Sequence, residues 1–363
     1  MIRSKSILAS LFILLYSVSF AQKQPYHIIA YYTGNGEVIN QYPVEQLTHI
    51  IYSFLKIQND TLTFKSPKQE ESLIQLVELK KRNPELKIMV SVGGWGGCAP
   101  CSDLFASEAH RSTFAKTTVA LFKKYHVDGI DLDWEYPTIA GYPGHKYAPE
   151  DKNNFTELVK TLRQEMGPGY ILSFAAGGFT RFLEESVDWD ALMPYLDFVN
   201  LMTYDLTSGA SKTTGHHTPL NNNNTQKQSA SNCINWLIQH KVPASKLVMG
   251  AAFYARVWEE VADIDHGLYQ AGKFKQGVSY KNADTFFTST PGYHYYFDKK
   301  AKAPYRYNAA QKMFATFDDE RSLKAKTAFI RKHHLGGIMF WELSQDKPVN
   351  GLVSVIYKNL NGR

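Results

Sequence analysis

From Tyr26 onward, short apolar runs rich in β-branched and aromatic residues alternate with longer stretches of helical periodicity. The runs read as buried strands and the longer stretches as helices covering them, the pattern of βα units around a parallel sheet. Strands are expected at His27–Tyr32, His49–Leu55, Lys87–Val92, Gly129–Glu135, Tyr170–Ala176, Phe198–Tyr204, Lys246–Tyr254 and Gly337–Leu343. Helices such as Lys68–Lys81, Arg111–Tyr125 and Lys152–Glu165 lie between them. Eight such repeats predict an α/β protein, a (β/α)8 TIM barrel. The rhythm breaks once, between Tyr254 and Gly337, where a barrel needs only a loop and a helix. Segment 257–314 is rich in Tyr, Phe, Lys and Gly without long apolar periodicity. It reads as a small α+β insertion domain between strand 7 and helix 7, the missing helix following at Asp319–His334.

The first 21 residues break the pattern differently. Arg3 and Lys5 precede an apolar stretch from Ile7 to Val18, and Ser19, Phe20 and Ala21 close it. This is the form of a secretory signal cleaved before Gln22, so the chain is expected outside the cytoplasm, extracellular or periplasmic. The barrel would then take 22–256 and 315–363. The apolar stretch is short of the ~20 residues a bilayer span needs, and no other approaches that length, so no membrane span is expected. Hydrophobic residues at 44% and charged residues at 20% suit a folded domain and exclude disorder. The formal charge of +6 is spread along the chain rather than gathered in basic blocks, which argues against a nucleic-acid partner. Asn221–Asn224 reads as a loop. Of three cysteines, Cys98 and Cys101 are two residues apart, as in a redox pair, half a zinc site or a small disulfide; export favours the disulfide. Cys233 sits in an expected helix and reads as a buried free thiol.

The chemistry concentrates in one strand. In the segment Asp128 to Pro137, carboxylates stand at 131, 133 and 135, while Ile130, Leu132, Trp134 and Tyr136 occupy the alternate positions. A period of two sends all three acids to one face. The apolar set would pack outward on the helices and the acids would line the barrel, Glu135 nearest the C-terminal mouth where such barrels carry their sites. Like charges stacked roughly 6 to 7 Å apart along a strand oppose folding unless protons are shared. Stability alone would select apolar residues here. Such a stack instead keeps one carboxyl protonated near neutral pH, as general-acid cleavage of a glycosidic bond requires. Asp128, ahead of the strand, reads as a turn residue.

Asp128, Asp131, Asp133 and Glu135 together match the DxxDxDxE signature of glycoside hydrolase family 18, the chitinases, which the chain resembles. Ser91-Val92-Gly93-Gly94-Trp95, Met202-Thr203-Tyr204-Asp205, Phe253-Tyr254-Ala255-Arg256, Phe317-Asp318-Asp319 and Leu335 to Trp341 are similar to further motifs of that family, in order. The resemblance implies a retaining, substrate-assisted mechanism, an exception to the two-carboxylate scheme. By it, Glu135 protonates the leaving oxygen, Asp133 orients the substrate's acetamido N–H, Asp131 shares a proton with Asp133, and Tyr204 holds the acetamido carbonyl. It implies substrate contacts from Trp341 as floor and from Tyr31, Phe54, Trp95, Met202, Asp205, Tyr254 and Arg256. Pyranose rings present apolar C–H faces that such aromatics can cover.

The resemblance thus implies a chitinase acting on chitin or chitooligosaccharides, with no cofactor and as a monomer. The rival readings are an endo-β-N-acetylglucosaminidase acting on N-glycans, against which the Tyr204 motif and the insertion weigh, and a non-catalytic chitin-binding lectin, against which the presence of Glu135, Asp133 and Tyr204 weighs. The loop after Trp95, with Cys98 and Cys101, is shorter than in many relatives. Trp189, Trp258, Tyr293, Tyr295 and Tyr296 read either as outer subsites or as packing. The pairs His216-His217 and His333-His334 are adjacent in sequence, an arrangement that rarely converges on one ion, so no metal is expected. Asn59, Asn154 and Asn223 begin Asn-x-Ser/Thr sites, relevant only in a host that glycosylates.

Overall fold

The computed structural model describes residues 26–362; the expected leader, 1–21, lies outside them. In chain order the elements are β1 His27–Tyr32, β2 His49–Gln58, β3 Thr61–Thr63, α1 Pro67–Glu78, β4 Lys87–Gly93, α2 Cys101–Phe105, α3 Glu108–Tyr125 and β5 Gly129–Asp133. Then come α4 Asp151–Met166, β6 Ile171–Gly177, α5 Trp189–Leu192, β7 Phe198–Met202, α6 Ala230–Gln239, β8 Leu247–Ala252, β9 Tyr254–Glu259 and β10 Lys273–Ser279. The chain ends with α7 Tyr280–Ser289, β11 Tyr293–Asp298, β12 Ala303–Asn308, β13 Met313–Thr316, α8 Glu320–Lys332, β14 Gly337–Trp341 and α9 Leu352–Asn361.

Eight strands close on themselves in the order β1-β14-β8-β7-β6-β5-β4-β2, with β1 also paired to β2 and every one of these pairings parallel. This is the (β/α)8 barrel that the alternation predicts. The strands bury both faces, which explains their near-continuous apolar runs. Ile29, Tyr31, Ile51, Met89, Phe198, Val248 and Met339 fill the barrel interior, while the alternate residues, such as Ile28, Ile50, Ile130 and Leu132, join the larger core beneath the helices. Helix starts follow from local chemistry: Ser66, Ser107 and Ser229 each accept the backbone N–H three residues on, and Pro67 occupies the first turn of α1. Asp319 and Ser322 form a reciprocal cap at α8.

Between β8 and α8 stands a separate five-stranded antiparallel sheet, β10-β9-β13-β12-β11, covered on one side by α7. Its strands run from Tyr254 to Thr316, past both ends of 257–314. Tyr254 and Arg256 therefore belong to its first strand.

One glycine pair decides how the barrel mouth is built. Gly93 ends β4 and Gly94 follows it, with φ of +108° and +76°, which non-glycine residues rarely adopt. A Cβ on Gly93 would lie 2.0 Å from the Asp133 carbonyl oxygen, and one on Gly94 2.3 Å from the Phe54 ring. The Gly94 N–H donates to that same carbonyl at 2.8 Å. Close approach of β4 to the acidic strand thus depends on the absence of side chains. Just beyond, a disulfide joins Cys98 to Cys101, tying the loop to the start of α2. Cys233 is buried in α6 with a free thiol.

Candidate active site

Asp131 is fully buried and held by four donors from four different strands. The Tyr31 hydroxyl and Ser91 Oγ donate to Oδ2 at 2.8 and 3.2 Å; Ser173 Oγ and Asn200 Nδ2 donate to Oδ1 at 2.7 and 3.0 Å. Register explains the serines, because Ser91 on β4 and Ser173 on β6 stand directly beside Asp131. Burial raises the Asp131 carboxyl, and these hydrogen bonds oppose the rise.

One step toward the mouth, Asp133 is 4% exposed and its Oδ1 has no hydrogen-bond partner. Burial pushes its pKa well above the carboxylate range, and the neighbouring charges of Glu135 and Asp131 push it further. Glu135 follows, half-buried, just past the end of β5. Burial raises it to about 7; a hydrogen bond from Tyr136 works against this and the charge of Asp205 adds to it. The outward set behaves as the alternation requires: Ile130, Leu132 and Trp134 lie in the outer core, with Tyr136 packed against it. Asp128 accepts the Ile88 N–H at 2.7 Å and pairs with Lys80, fastening the start of β5.

Across the mouth, Tyr204 lies with its ring 6.4 Å from that of Tyr254 and its hydroxyl 4.0 Å from Met339 Sδ. Met202 and Trp341 pack on the inner cluster beside it. Trp341 is partly exposed and lies almost parallel to Phe54, ring centres 5.6 Å apart. Asp205 takes both Nε and Nη2 of Arg256 as donors. Burial alone would raise its pKa, but the hydrogen bonds and charges of His217 and Arg256 prevail and hold it well below the usual range. Trp95 stands at the rim, 59% exposed, edge-on to Tyr142.

Several of the expected aromatic residues are buried. Tyr31 is 1% exposed: an inward position on β1 points into the packed barrel, so its ring lies 5.8 Å from that of Trp341 and its hydroxyl donates to Asp131. Tyr254 is similarly enclosed, between Tyr204, His217 and the Arg256 guanidinium. Trp258 and Trp189 are core residues, their indole N–H groups donating to Ser211 and Leu183 carbonyls. Tyr293 is buried under α7, and Tyr296 stacks on Tyr305 and His266.

Other residues at the site are not among the expected candidates; of these, only Ser91 lies within one of the sequence motifs. Ser91, Ser173 and Asn200 act only through neighbouring strands. His217 is completely buried, with Nδ1 3.5 Å from Asp205 Oδ1, and burial lowers its pKa. His216 faces Asp298 instead, so the adjacent pair diverges. Among the described residues, no group of three or more His, Cys, Asp or Glu could hold a metal ion, and no helix is long and apolar enough to cross a membrane.

The model for "Glycosyl hydrolases family 18" matches residues 27–346. Chitinase A1 of Niallia circulans is 36% identical over 75% of this chain, which spans 42% of that relative's length. Chitotriosidase-1 of Mus musculus is 32% identical, covering 82% of this chain and 67% of its own. A solved family 18 N-acetylglucosaminidase from Paenibacillus barengoltzii superposes with a TM-score of 0.84 at 32% identity, covering 92% of this chain and 99% of that one. With its acidic strand set inside a closed barrel and a family match over nearly all of the described residues, the chain belongs to glycosyl hydrolase family 18.

Proposed function

We propose that this protein is a secreted chitinase that hydrolyses β-1,4 bonds between N-acetylglucosamine units with retention, using the substrate's own acetamido group as nucleophile. The observation that carries the reading is the stack of Asp131, Asp133 and Glu135, whose middle member keeps a buried oxygen without a partner beside a carboxyl lifted to about 7. An acceptor held ready in a dry pocket suits an amide N–H supplied by the sugar. Glu135 gives its proton to the departing glycosidic oxygen as that C–O bond breaks, and the acetamido carbonyl oxygen bonds to the anomeric carbon. Asp133 accepts the acetamido N–H and stabilises the oxazolinium ion, while Asp131 and its four donors fix the charge distribution beneath. The Tyr204 hydroxyl donates to the acetamido oxygen. Water then opens the ring at the anomeric carbon, surrendering a proton to Glu135 and restoring the acid. Phe54 and Trp341 offer the apolar floor for the sugar.

Release of reducing ends from colloidal chitin, absent in Glu135→Gln, tests this; a wild-type protein that binds chitin without cleaving it would refute it. The 32% identity to an N-acetylglucosaminidase over 99% of that chain favours a second reading, in which single sugars are removed from chain ends. Mass spectrometry of the products from a chitin hexamer separates the two: monomer alone supports the second, internal fragments the first.

A further inference from the structure

On the side of β9 away from Arg256, a cavity of about 390 Å³ opens between α7 and the segment Phe317–Lys324. That volume is at the lower end of the ~300–1,000 Å³ typical of small-molecule sites, room enough for a sugar unit. Tyr254 borders the cavity, and its ring packs 6.4 Å from that of Tyr204. The cavity wall combines the aromatic rings of Tyr280, Phe287, Tyr295 and Phe317 with ions of both signs.

Arg306 is the unusual member. Its guanidinium lies 4.9 Å from the ring centre of Phe287 and 5.7 Å from that of Tyr295, and its Nε is buried without a hydrogen-bond partner. A buried guanidinium N–H left open destabilises the fold unless something accepts from it. The nearby Asp319 carboxylate is already engaged, taking the Tyr295 hydroxyl at 2.9 Å and capping α8. Four carboxylates and three cations line the cavity, and one of those carboxylates, Asp318, is paired with the buried Lys326 at 2.6 Å. Asp284 is likewise paired with Lys347 at 2.6 Å, and the two carboxylates and three cations that remain disfavour a polyamine. Aromatic faces beside planar donors and acceptors suit a neutral polyhydroxylated ring, with C–H faces for the former and oxygens for the latter.

We infer that this cavity is a second saccharide site, outside the catalytic cleft, in which Arg306 Nε donates to an oxygen of an N-acetylhexosamine unit and Tyr295 covers its apolar face. The choice of aminosugar over other neutral sugars rests on the proposed chitinase function. Calorimetric titration of Glu135→Gln with N,N′-diacetylchitobiose tests it, since this variant keeps both sites and cannot consume the ligand. Two classes of site are expected. Adding Arg306→Ala or Tyr295→Ala should weaken one class at least tenfold and leave the other unchanged. The same substitutions in the wild-type background should keep kcat/KM on a soluble fluorogenic chitobioside within twofold. Tyr295 is 39% exposed, so its truncation should leave the fold intact even if that of Arg306 does not. A single class of site in Glu135→Gln, two unchanged classes in both double variants, or displacement of the second class by inorganic phosphate would overturn the inference. Failure of the wild type to cleave chitin oligomers would instead overturn the catalytic reading, and the isotherm would still decide whether the second site exists.

Discussion

Replacing Glu135 by Gln should strengthen the fold in neutral and alkaline solution while abolishing turnover. Burial is the main reason its carboxyl moves from 4.5 to about 7 in the folded protein. In the unfolded chain the same group ionises at its ordinary value. Between those two values the folded state holds more protons than the unfolded state, so stability declines as pH rises. Below 4.5 both states are protonated and the group has no effect; above 7 the full difference applies. At ~1.36 kcal/mol for each tenfold change in proton affinity, that difference is about 3 kcal/mol. Gln fills the same space and never ionises. Urea unfolding of both proteins at pH 4.5 and at about pH 8, extrapolated linearly to water, should show near-equal stability in acid and an advantage of about 3 kcal/mol for the variant in base. Equal stability at both values would refute the burial of an ionisable acid at this position. The same titration governs catalysis, so wild-type kcat/KM should fall about tenfold per pH unit above pH ~7 as the proton donor is lost.

Asp133→Ala should lower kcat/KM by orders of magnitude, because acetamido orientation and oxazolinium stabilisation vanish together. A thiazoline mimic of the intermediate should inhibit the wild type competitively, and indifference to it in Michaelis–Menten analysis would contradict substrate assistance. Gly94→Ala should destabilise by about 2 kcal/mol or more, from a positive φ and a methyl group driven into Phe54, read as a drop in urea midpoint together with a raised KM. At the opposite end of the barrel, His49 is buried between His27 and Phe198, and burial, aided by the charges of His27 and Lys87, sets its pKa well below 6.5. The unfolded chain takes up a proton as pH falls through 6.5 and the folded chain does not, so this part of the stability is present above 6.5 and lost on acidification. His49→Phe should flatten the fall in urea midpoint between about pH 7 and pH 5; an unchanged slope would show that His49 protonates freely in the fold.

The barrel was legible because its strands are buried on both faces and stand out as apolar runs, which is why β1 coincides with the expected His27–Tyr32. The acids of β5 were legible for the opposite reason: strict alternation with Ile, Leu and Trp leaves them no face but the interior. What the sequence concealed was everything set by register. Ser173 and Asn200 are ordinary polar residues, and Ser91 only the first letter of a motif, until three strands bring them around Asp131. Tyr31 and Phe54 look equivalent as strand aromatics, yet one points into a filled core while the other lies beside Trp341 at the opening. Trp258 resembles a surface aromatic in a Tyr-rich segment, and only the pairing of β9 with β13 and β10 shows that it is enclosed. His217 reaches Asp205 through a loop whose path no periodicity describes.

The first and last strands of the inserted sheet, β9 and β13, are antiparallel neighbours, with Val257 opposite Ala315. The polypeptide therefore departs from the barrel and returns to it along adjacent tracks roughly 5 Å apart. An excursion anchored in this way is a cassette: its outer strands can be lengthened, trimmed or exchanged for those of another protein without displacing the two ends it is spliced to. Variation in the inserted sheet can accumulate there while Asp131, Asp133 and Glu135 on the barrel keep their geometry.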